Sequence, residues 1–295
     1  MYDAIVRIIQ KQFPASHNNN AKPSSQAVAT WRAVHQLLEH PVIFNDPFAL
    51  RILGNAASGV EAQLESHKDP LSSAMRMAIA VRSRFAEDER KDAAAFGIHQ
   101  YVVLGAGLDT YAYRSNHPGE HVFEVDLPTT QSMKVARLQQ QAIQPTCSVH
   151  YVACDFEEGT LEKGLALAGF DKSQKAFFSC LGVVNYLDFD AFEQTLQFIA
   201  SCAPGSILIF DYIIDPNNLS EMECMVLDIM SAHLAAGGEP FKCFLSPQLL
   251  SQTLSRLGFS QVKDISPEYL NNRYLTARSD GLRVGNVTRM YIAIV

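Results

Sequence analysis

Three stretches of the chain place a glycine turn or carboxylates directly after a short apolar run. Glycine lets the backbone turn sharply and approach a ligand, because it has no Cβ. A carboxylate can accept hydrogen bonds from both hydroxyls of a ribose, and an acid beside an aromatic ring can hold the nucleobase. These residue types together are suited to binding a nucleoside. The residues are Gly105, Ala106, Gly107, Asp109, Glu124, Asp126, Leu127, Asp155 and Phe156.

Three consecutive strands are expected to position these residues. Residues 101–104, 121–126 and 149–155 are apolar-rich runs of the length that forms buried parallel strands. In an open α/β sheet, ligands bind in the crevice beyond the carboxyl ends of the strands, so the three sets of residues would meet at one edge. The residues after the glycine turn can open a helix, and we expect backbone N–H groups and the positive end of that helix to face the ligand.

The residues around the glycine turn also indicate which nucleoside is bound. The dinucleotide fingerprint requires a third glycine three residues after the second, and here that position is Thr110. Asp109 stands just before it, and an acid beside a pyrophosphate is unfavourable because like charges repel. S-adenosylmethionine carries a sulfonium and an ammonium and no phosphate, so the loop favours this cofactor over NAD. An NAD(P)-linked oxidoreductase and a catalytically silent cofactor-binding protein stay open as alternatives.

Residues 104–114 (LGAGLDTYAYR), with the acids that end the next two strands, resemble the leucine carboxyl methyltransferase family. More narrowly, they resemble its bacterial branch of S-adenosylmethionine-dependent O-methyltransferases. The resemblance covers the chain from about Ser25 to the end. Shorter matching segments are residues 31–35, 44–49, 80–84, 181–187 and 238–241.

The resemblance implies roles for further residues. It implies that Arg82, rather than its neighbour Arg84, grips the methionine carboxylate of the cofactor through two parallel hydrogen bonds. It implies that Tyr186 lies nearest the transferring methyl group and acts as the catalytic residue. Many relatives carry a glutamate where this chain has Leu181, so only a backbone contact with the cofactor is expected there. From the residues alone, Arg82 could also be a salt-bridged arginine and Tyr186 a core residue.

The resemblance also implies methyl transfer to an oxygen of a small molecule, and the acceptor decides whether a base is needed. A carboxylate with a pKa near 4 is already ionised at pH 7, whereas a phenol near 10 needs help from a base. No motif places a base, and His233 is only a candidate. This favours a carboxyl acceptor slightly over a hydroxyl.

The predicted fold is α/β, a seven-stranded and mostly parallel sheet whose last strand is antiparallel. Residues 1–95 are predicted to form a helical cap, with helices over residues 1–12, 24–38 and 70–95. Residues 96–295 are predicted to form the Rossmann-like cofactor domain, with a lid insertion over residues 213–245. Asp188 is predicted to cap the helix that runs to Cys202, and a further helix is expected over residues 157–168.

Composition excludes several classes of function. The net charge is −7 without a basic stripe, which argues against nucleic-acid binding. No apolar run approaches the roughly 18 residues of a membrane span, and there is no signal-peptide pattern. Six cysteines without paired spacing suit a cytoplasmic protein with reduced thiols. The histidine spacings do not match a metal site, and the oligomeric state is left open.

Overall fold

The structure, a computed structural model, describes residues 23–295. The helix predicted for residues 1–12 lies outside the described residues. The helices are α1 (Pro23–Leu38), α2 (Ala57–Ala62), α3 (Pro70–Ala95), α4 (Pro128–Gln140), α5 (Leu161–Leu167), α6 (Phe189–Ala200), α7 (Glu221–Ala236), α8 (Pro247–Leu257) and α9 (Pro267–Tyr274). None of them combines the length and the apolar character that crossing a bilayer requires.

Residues 23–295 contain one sheet of seven strands. The strands are β1 (Gln100–Leu104), β2 (His121–Asp126), β3 (Ser148–Ala153), β4 (Ala176–Cys180), β5 (Ile207–Ile213), β6 (Gln261–Ile265) and β7 (Thr288–Ile294). Their order is β3-β2-β1-β4-β5-β7-β6. The first five strands are parallel, and β7 runs antiparallel to both β5 and β6. The predicted fold class is therefore confirmed.

The central strand β1 is buried on both faces, as expected for a parallel strand covered by helices on each side. Tyr101 and Val103 belong to an apolar cluster with α1 and α3, whereas Val102 and Leu104 belong to a second cluster with α6 and α8. This alternation follows from the two-residue period of a strand. The helical cap and the sheet consequently share one core.

Two local expectations are wrong, one is met in part, and one helix was missed. No α-helix follows the glycine turn, where only a short 3-10 turn forms at Tyr111–Tyr113. The helix expected over residues 157–168 begins at Leu161, after a 3-10 turn at Phe156–Glu158. Asp188 occupies the predicted N-cap position of α6 with extended backbone, but its side chain makes no capping hydrogen bond. Helix α9 was not expected, although Ser266 caps it by accepting from the Tyr269 N–H.

Candidate functional site

A cavity of about 670 Å³ lies at the carboxyl ends of the first five strands. This volume is within the range of about 300–1,000 Å³ typical of small-ligand sites. Helices α1 and α3 and the insertion (residues 213–245) contribute its other walls. All but one of the predicted site residues line it: Arg82, Gly105, Ala106, Gly107, Asp109, Asp126, Leu127, Asp155, Phe156, Leu181 and Tyr186.

The exception is Glu124, which the structure does not bring to the cavity wall. Its carboxylate is 2% exposed and forms an ion pair with Lys134 of α4, with 2.6 Å between Nζ and Oε2. Lys134 is equally buried, so the two charges compensate each other inside the protein. Glu124 stands two residues before the end of β2, where α4 covers the strand. Its position is that of a structural ion pair and differs from the predicted contact with a ligand.

The backbone N–H groups of the glycine turn are bonded to the neighbouring strand. The N–H groups of Gly105 and Ala106 donate to the carbonyl oxygen of Val125 at 2.8 and 3.0 Å. The N–H of Gly107 donates to Oδ2 of Asp126 at 2.7 Å. The expectation that these groups and a helix end would face a ligand is therefore wrong. Gly105 has φ of +72°, and a Cβ there would lie 2.2 Å from the Val183 side chain, so the turn requires glycine.

Asp126 is held rigidly at the end of β2. Besides the bond from Gly107, its Oδ1 accepts from the N–H of Leu127 at 2.7 Å. Each carboxylate oxygen has more than one acceptor position, so the group can accept further hydrogen bonds from a ligand. A fixed carboxylate at the cavity wall is suited to binding a pair of hydroxyl groups.

Asp155 and Phe156 lie at the end of the next strand, β3. Oδ1 of Asp155 accepts from the N–H of Glu157 at 3.0 Å, which fixes the carboxylate at the start of a 3-10 turn. Glu157 in turn forms an ion pair with Lys242 of the insertion. The arrangement holds an acid and an aromatic ring side by side at the cavity wall.

Asp109 keeps a negative charge in the loop after β1. Burial raises the pKa of its carboxyl, but the positive charges of Arg32, Lys134 and Arg114 outweigh burial and bring the pKa below its ordinary value. Its Oδ1 also accepts from the N–H of Tyr111 at 2.7 Å. The loop therefore presents an ionised carboxylate, as the sequence predicted, whose Oδ2 lies 3.7 Å from Nη1 of Arg32.

Arg82 of α3 reaches the ends of β4 and β5. Its Nη1 donates to Oδ2 of Asp211 at 2.7 Å. Its Nε is buried and has no hydrogen-bond partner among residues 23–295. Buried donors are normally bonded, so an unpaired N–H on an arginine of the cavity wall indicates a partner that the described residues do not supply.

Tyr186 lies where the insertion covers the cavity. Its ring packs against Phe241, with 5.5 Å between the ring centroids. Burial, reinforced by the negative charge of Glu239, raises the pKa of its phenol well above the ordinary value. Tyr186 therefore stays protonated at neutral pH, where it can donate a hydrogen bond and cannot act as a base. His233, the candidate base, lies on α7.

A carboxylate of the insertion caps the N-terminus of α1. Glu239 accepts from the Ser24 N–H at 2.8 Å through Oε2 and from the Ser24 hydroxyl at 3.0 Å through Oε1. These bonds satisfy one of the free N–H groups that every helix start presents, and they place a negative charge at its positive end. Helices α1 and α3 and the insertion form the cover of the cavity, and these bonds join α1 to the insertion.

Comparison with known proteins gives the family. Residues 25–200 match the leucine carboxyl methyltransferase family. The chain belongs to the leucine carboxyl methyltransferase family. The resemblance inferred from residues 104–114 is confirmed.

Relatives in this family come from several bacteria. The chain is 29% identical over 253 residues to "Putative S-adenosyl-L-methionine-dependent methyltransferase YktD" of Bacillus subtilis (strain 168), covering 83% of this chain and 79% of that protein. It is 37% identical over 193 residues to "Putative S-adenosyl-L-methionine-dependent methyltransferase Rv3399" of Mycobacterium tuberculosis (strain ATCC 25618 / H37Rv). That match covers 61% of this chain and 55% of the mycobacterial protein, so it spans about half of the relative's length.

Solved structures share the fold of this leucine carboxyl methyltransferase family member. A putative methyltransferase from Thermobifida fusca YX superposes with a TM-score of 0.55 at 18% identity, over 90% of this chain and 93% of that chain. A DUF574 family protein from Streptomyces avermitilis MA-4680 superposes with a TM-score of 0.53 at 14% identity, over 98% and 96%. At these identities the likeness concerns the fold alone.

In this family member, acids outnumber bases along the described cavity wall. The acids are Glu87, Asp109, Asp126, Asp155, Glu157, Asp211 and Glu239, and the bases are Arg32, Arg82, Lys242 and Arg289. Each base is bonded to an acid. A wall of this charge favours a cationic ligand. Within residues 23–295, no three His, Cys, Asp or Glu side chains converge as a metal site.

Sequence reasoning missed four acids of this wall: Glu87, Glu157, Asp211 and Glu239. Asp211 interrupts the apolar run of β5 (ILIFDYI) and is 2% exposed. A charged residue inside a buried strand was the available signal, because such residues are rarely buried without a partner. Glu239 lies in the matching segment 238–241, but that segment did not predict its partner Ser24, which is 215 residues away.

Proposed function

We propose that this protein transfers a methyl group from S-adenosylmethionine to a carboxylate or hydroxyl oxygen of a small molecule. The observation that carries the proposal is the bonding of the glycine turn. Its three N–H groups donate to β2, so they do not cradle a phosphate as a dinucleotide site would. The excess of acids along the cavity wall also supports a cofactor with a net positive charge, because opposite charges attract.

The described residues fit this cofactor. Arg82, with its unpartnered buried Nε, would hold the methionine carboxylate. Asp126 would accept from the ribose hydroxyls, and Asp155 with Phe156 would hold the adenine. The bound cofactor supplies a methyl group on a positively charged sulfur, which is already strongly electrophilic.

The remaining chemistry is orientation of the acceptor and exclusion of water. Orientation alone can supply about 7–11 kcal/mol of the barrier. The cover contributes mainly apolar side chains to the cavity, among them Met75, Ile79, Val226, Met230 and Phe241. An acceptor with an apolar body therefore fits this side. A carboxylate acceptor needs no proton removed, which agrees with the protonated state of Tyr186.

Two measurements test the proposal. Calorimetric titration of the protein with S-adenosylhomocysteine and with NAD is expected to show binding of the first and none of the second. Transfer of a labelled methyl group to a panel of apolar carboxylic acids and phenols is expected to favour the acids. Binding of NAD instead would point to an oxidoreductase, and cofactor binding without transfer to any acceptor would point to a silent binding protein.

A further inference from the structure

We infer that Asp211 is a positioning residue, which turns Arg82 so that one edge of its guanidinium faces the carboxylate of the cofactor's amino-acid portion. The inference rests on the proposed function and adds to it a residue from β5. Asp211 lies near the carboxyl end of that strand and is 2% exposed.

Both oxygens of Asp211 are bonded within the protein. Oδ2 accepts from Nη1 of Arg82 at 2.7 Å, and Oδ1 accepts from the N–H of Gly182 at 2.5 Å. These bonds connect α3, the loop after β4, and β5. The carboxylate is thereby fixed from two directions, and it can hold the arginine in one orientation.

Gly182 provides the surface against which the guanidinium lies. Its φ is +67°, and a Cβ at this position would lie 3.0 Å from Nη2 and 3.1 Å from Nη1 of Arg82. The arginine therefore rests directly on the glycine backbone. Together, the bond to Asp211 and this contact fix both the direction and the plane of the guanidinium.

The unpaired Nε distinguishes the half-buried Arg82 from the two buried arginines of α3. Arg76 uses both Nε and Nη2 to grip Glu39, at 2.9 and 2.7 Å. Arg90 uses the same two atoms to grip Glu120, at 2.9 and 2.6 Å.

Arg82 instead gives Asp211 only Nη1, and its buried Nε has no partner among residues 23–295. The Nε and Nη2 edge of an arginine can pair with a carboxylate through two parallel bonds. Arg76 and Arg90, the two buried arginines of α3, both use this edge for their acids. Asp211 engages Nη1, and the Nε of this cavity-lining arginine stays without a partner in the part of the chain that the structure describes.

The test compares two ligands that differ in the relevant group. S-adenosylhomocysteine carries the amino-acid portion, whereas 5′-methylthioadenosine keeps the nucleoside and the sulfur but lacks the carboxylate. In Asp211→Asn, one of the two partners of residue 211 faces an amide N–H₂ instead of an acceptor, so Arg82 loses its fixed orientation. We expect calorimetry to show S-adenosylhomocysteine binding weakened by about tenfold or more, and 5′-methylthioadenosine binding changed by less than about twofold.

Equal losses for the two ligands, or unchanged or tighter binding of S-adenosylhomocysteine, would overturn the inference. Glu39→Gln is the matched control, because it removes the acid partner of another α3 arginine that does not line the cavity. It should lower the melting temperature and leave the affinity ratio of the two ligands unchanged.

Two further results are decisive. If Asp211→Asn does not fold, Gly182→Ala is the second variant, because its Cβ would lie 3.0 Å from Nη2 of Arg82 and would displace the guanidinium. The same selective loss is then expected, and equal losses for both ligands would refute the inference. If the unaltered protein binds neither ligand, the proposed function fails and the inference falls with it. Binding by the unaltered protein without a selective loss in the variants rejects the role of Asp211 alone.

Discussion

Asp126 and Glu124 are two acids of one strand with different environments. Asp126 lies at the cavity wall with its carboxylate fixed by two backbone N–H groups. Glu124 pairs with Lys134 and does not reach the wall. Sequence reasoning could predict Asp126, because a strand end faces the ligand edge of a parallel sheet. It could not separate Glu124 from Asp126, because that distinction depends on how α4 packs over the strand.

Substitutions of these two acids should have different effects, one on ligand affinity and the other on stability. Asp126→Ala should weaken S-adenosylhomocysteine binding by more than about tenfold, since it removes the acceptor for the ribose hydroxyls. Glu124→Gln should leave that affinity unchanged and lower the free energy of unfolding by about 3–5 kcal/mol, because it leaves Lys134 buried without its counter-charge. Calorimetry and denaturant unfolding of both variants check this. Loss of affinity in Glu124→Gln, with Asp126→Ala unaffected, would reverse the two roles.

At the scale of elements, the strands were the most predictable part of the chain. The apolar runs at residues 101–104, 121–126 and 149–155 coincide with β1, β2 and β3 to within two residues. The turn after β1 was not predictable in the same way. Its residues permit a helix, but the N–H groups of Gly105, Ala106 and Gly107 find acceptors on β2 instead. Tertiary hydrogen bonds replaced the local preference, and such bonds are invisible in a single sequence.

Helix α1 is tied to the following loop by a neutral histidine, which predicts a pH dependence. Nε2 of His35 accepts from the N–H groups of Ile43 and Phe44, both at 3.1 Å. Burial lowers the pKa of His35 from 6.5 to about 4. Between pH 6.5 and about 4, His35 is therefore protonated in the unfolded chain and neutral in the folded chain. Up to about 3 kcal/mol of stability, present above pH 6.5, is lost as the pH falls to about 4.

Denaturant unfolding between pH 7 and pH 4 measures this loss. In His35→Gln the part of the slope between pH 6.5 and 4 that belongs to His35 should disappear, because glutamine does not titrate. The exposed His40→Gln serves as the control and should keep the slope of the unaltered protein. An unchanged slope in His35→Gln would show that other groups cause the acid sensitivity.

At the scale of the whole molecule, the cover and the sheet form one cavity with walls from distant parts of the chain. The division at residue 95 stays a prediction, but the first apolar cluster includes Met77 and Phe85 of α3 together with Tyr101 of β1. The bond between Glu239 and Ser24 joins the insertion to α1 over the cavity. Such long-range contacts decide the shape of the acceptor side, which is why composition and motifs did not reveal it.

The link between Glu239 and Ser24 predicts the rate of ligand release. Glu239→Ala removes a charged acceptor from the start of α1, so S-adenosylhomocysteine should dissociate about tenfold faster. Trp31 lines the cavity and is the single tryptophan of the chain, so stopped-flow fluorescence can follow the release. Glu221→Ala, an exposed acid of α7, is the control. Equal release rates in both variants would show that the link does not hold the cover closed.

The attachment of the glycine turn to β2 has a consequence for recognition. Because three consecutive amides are satisfied within the fold, the floor of the cavity keeps its shape before any ligand arrives. The conformational entropy of ordering this floor is lost once, during folding, and does not recur at each encounter. Discrimination between molecules of similar charge then depends on the cover, where side chains of α1 and of the insertion meet.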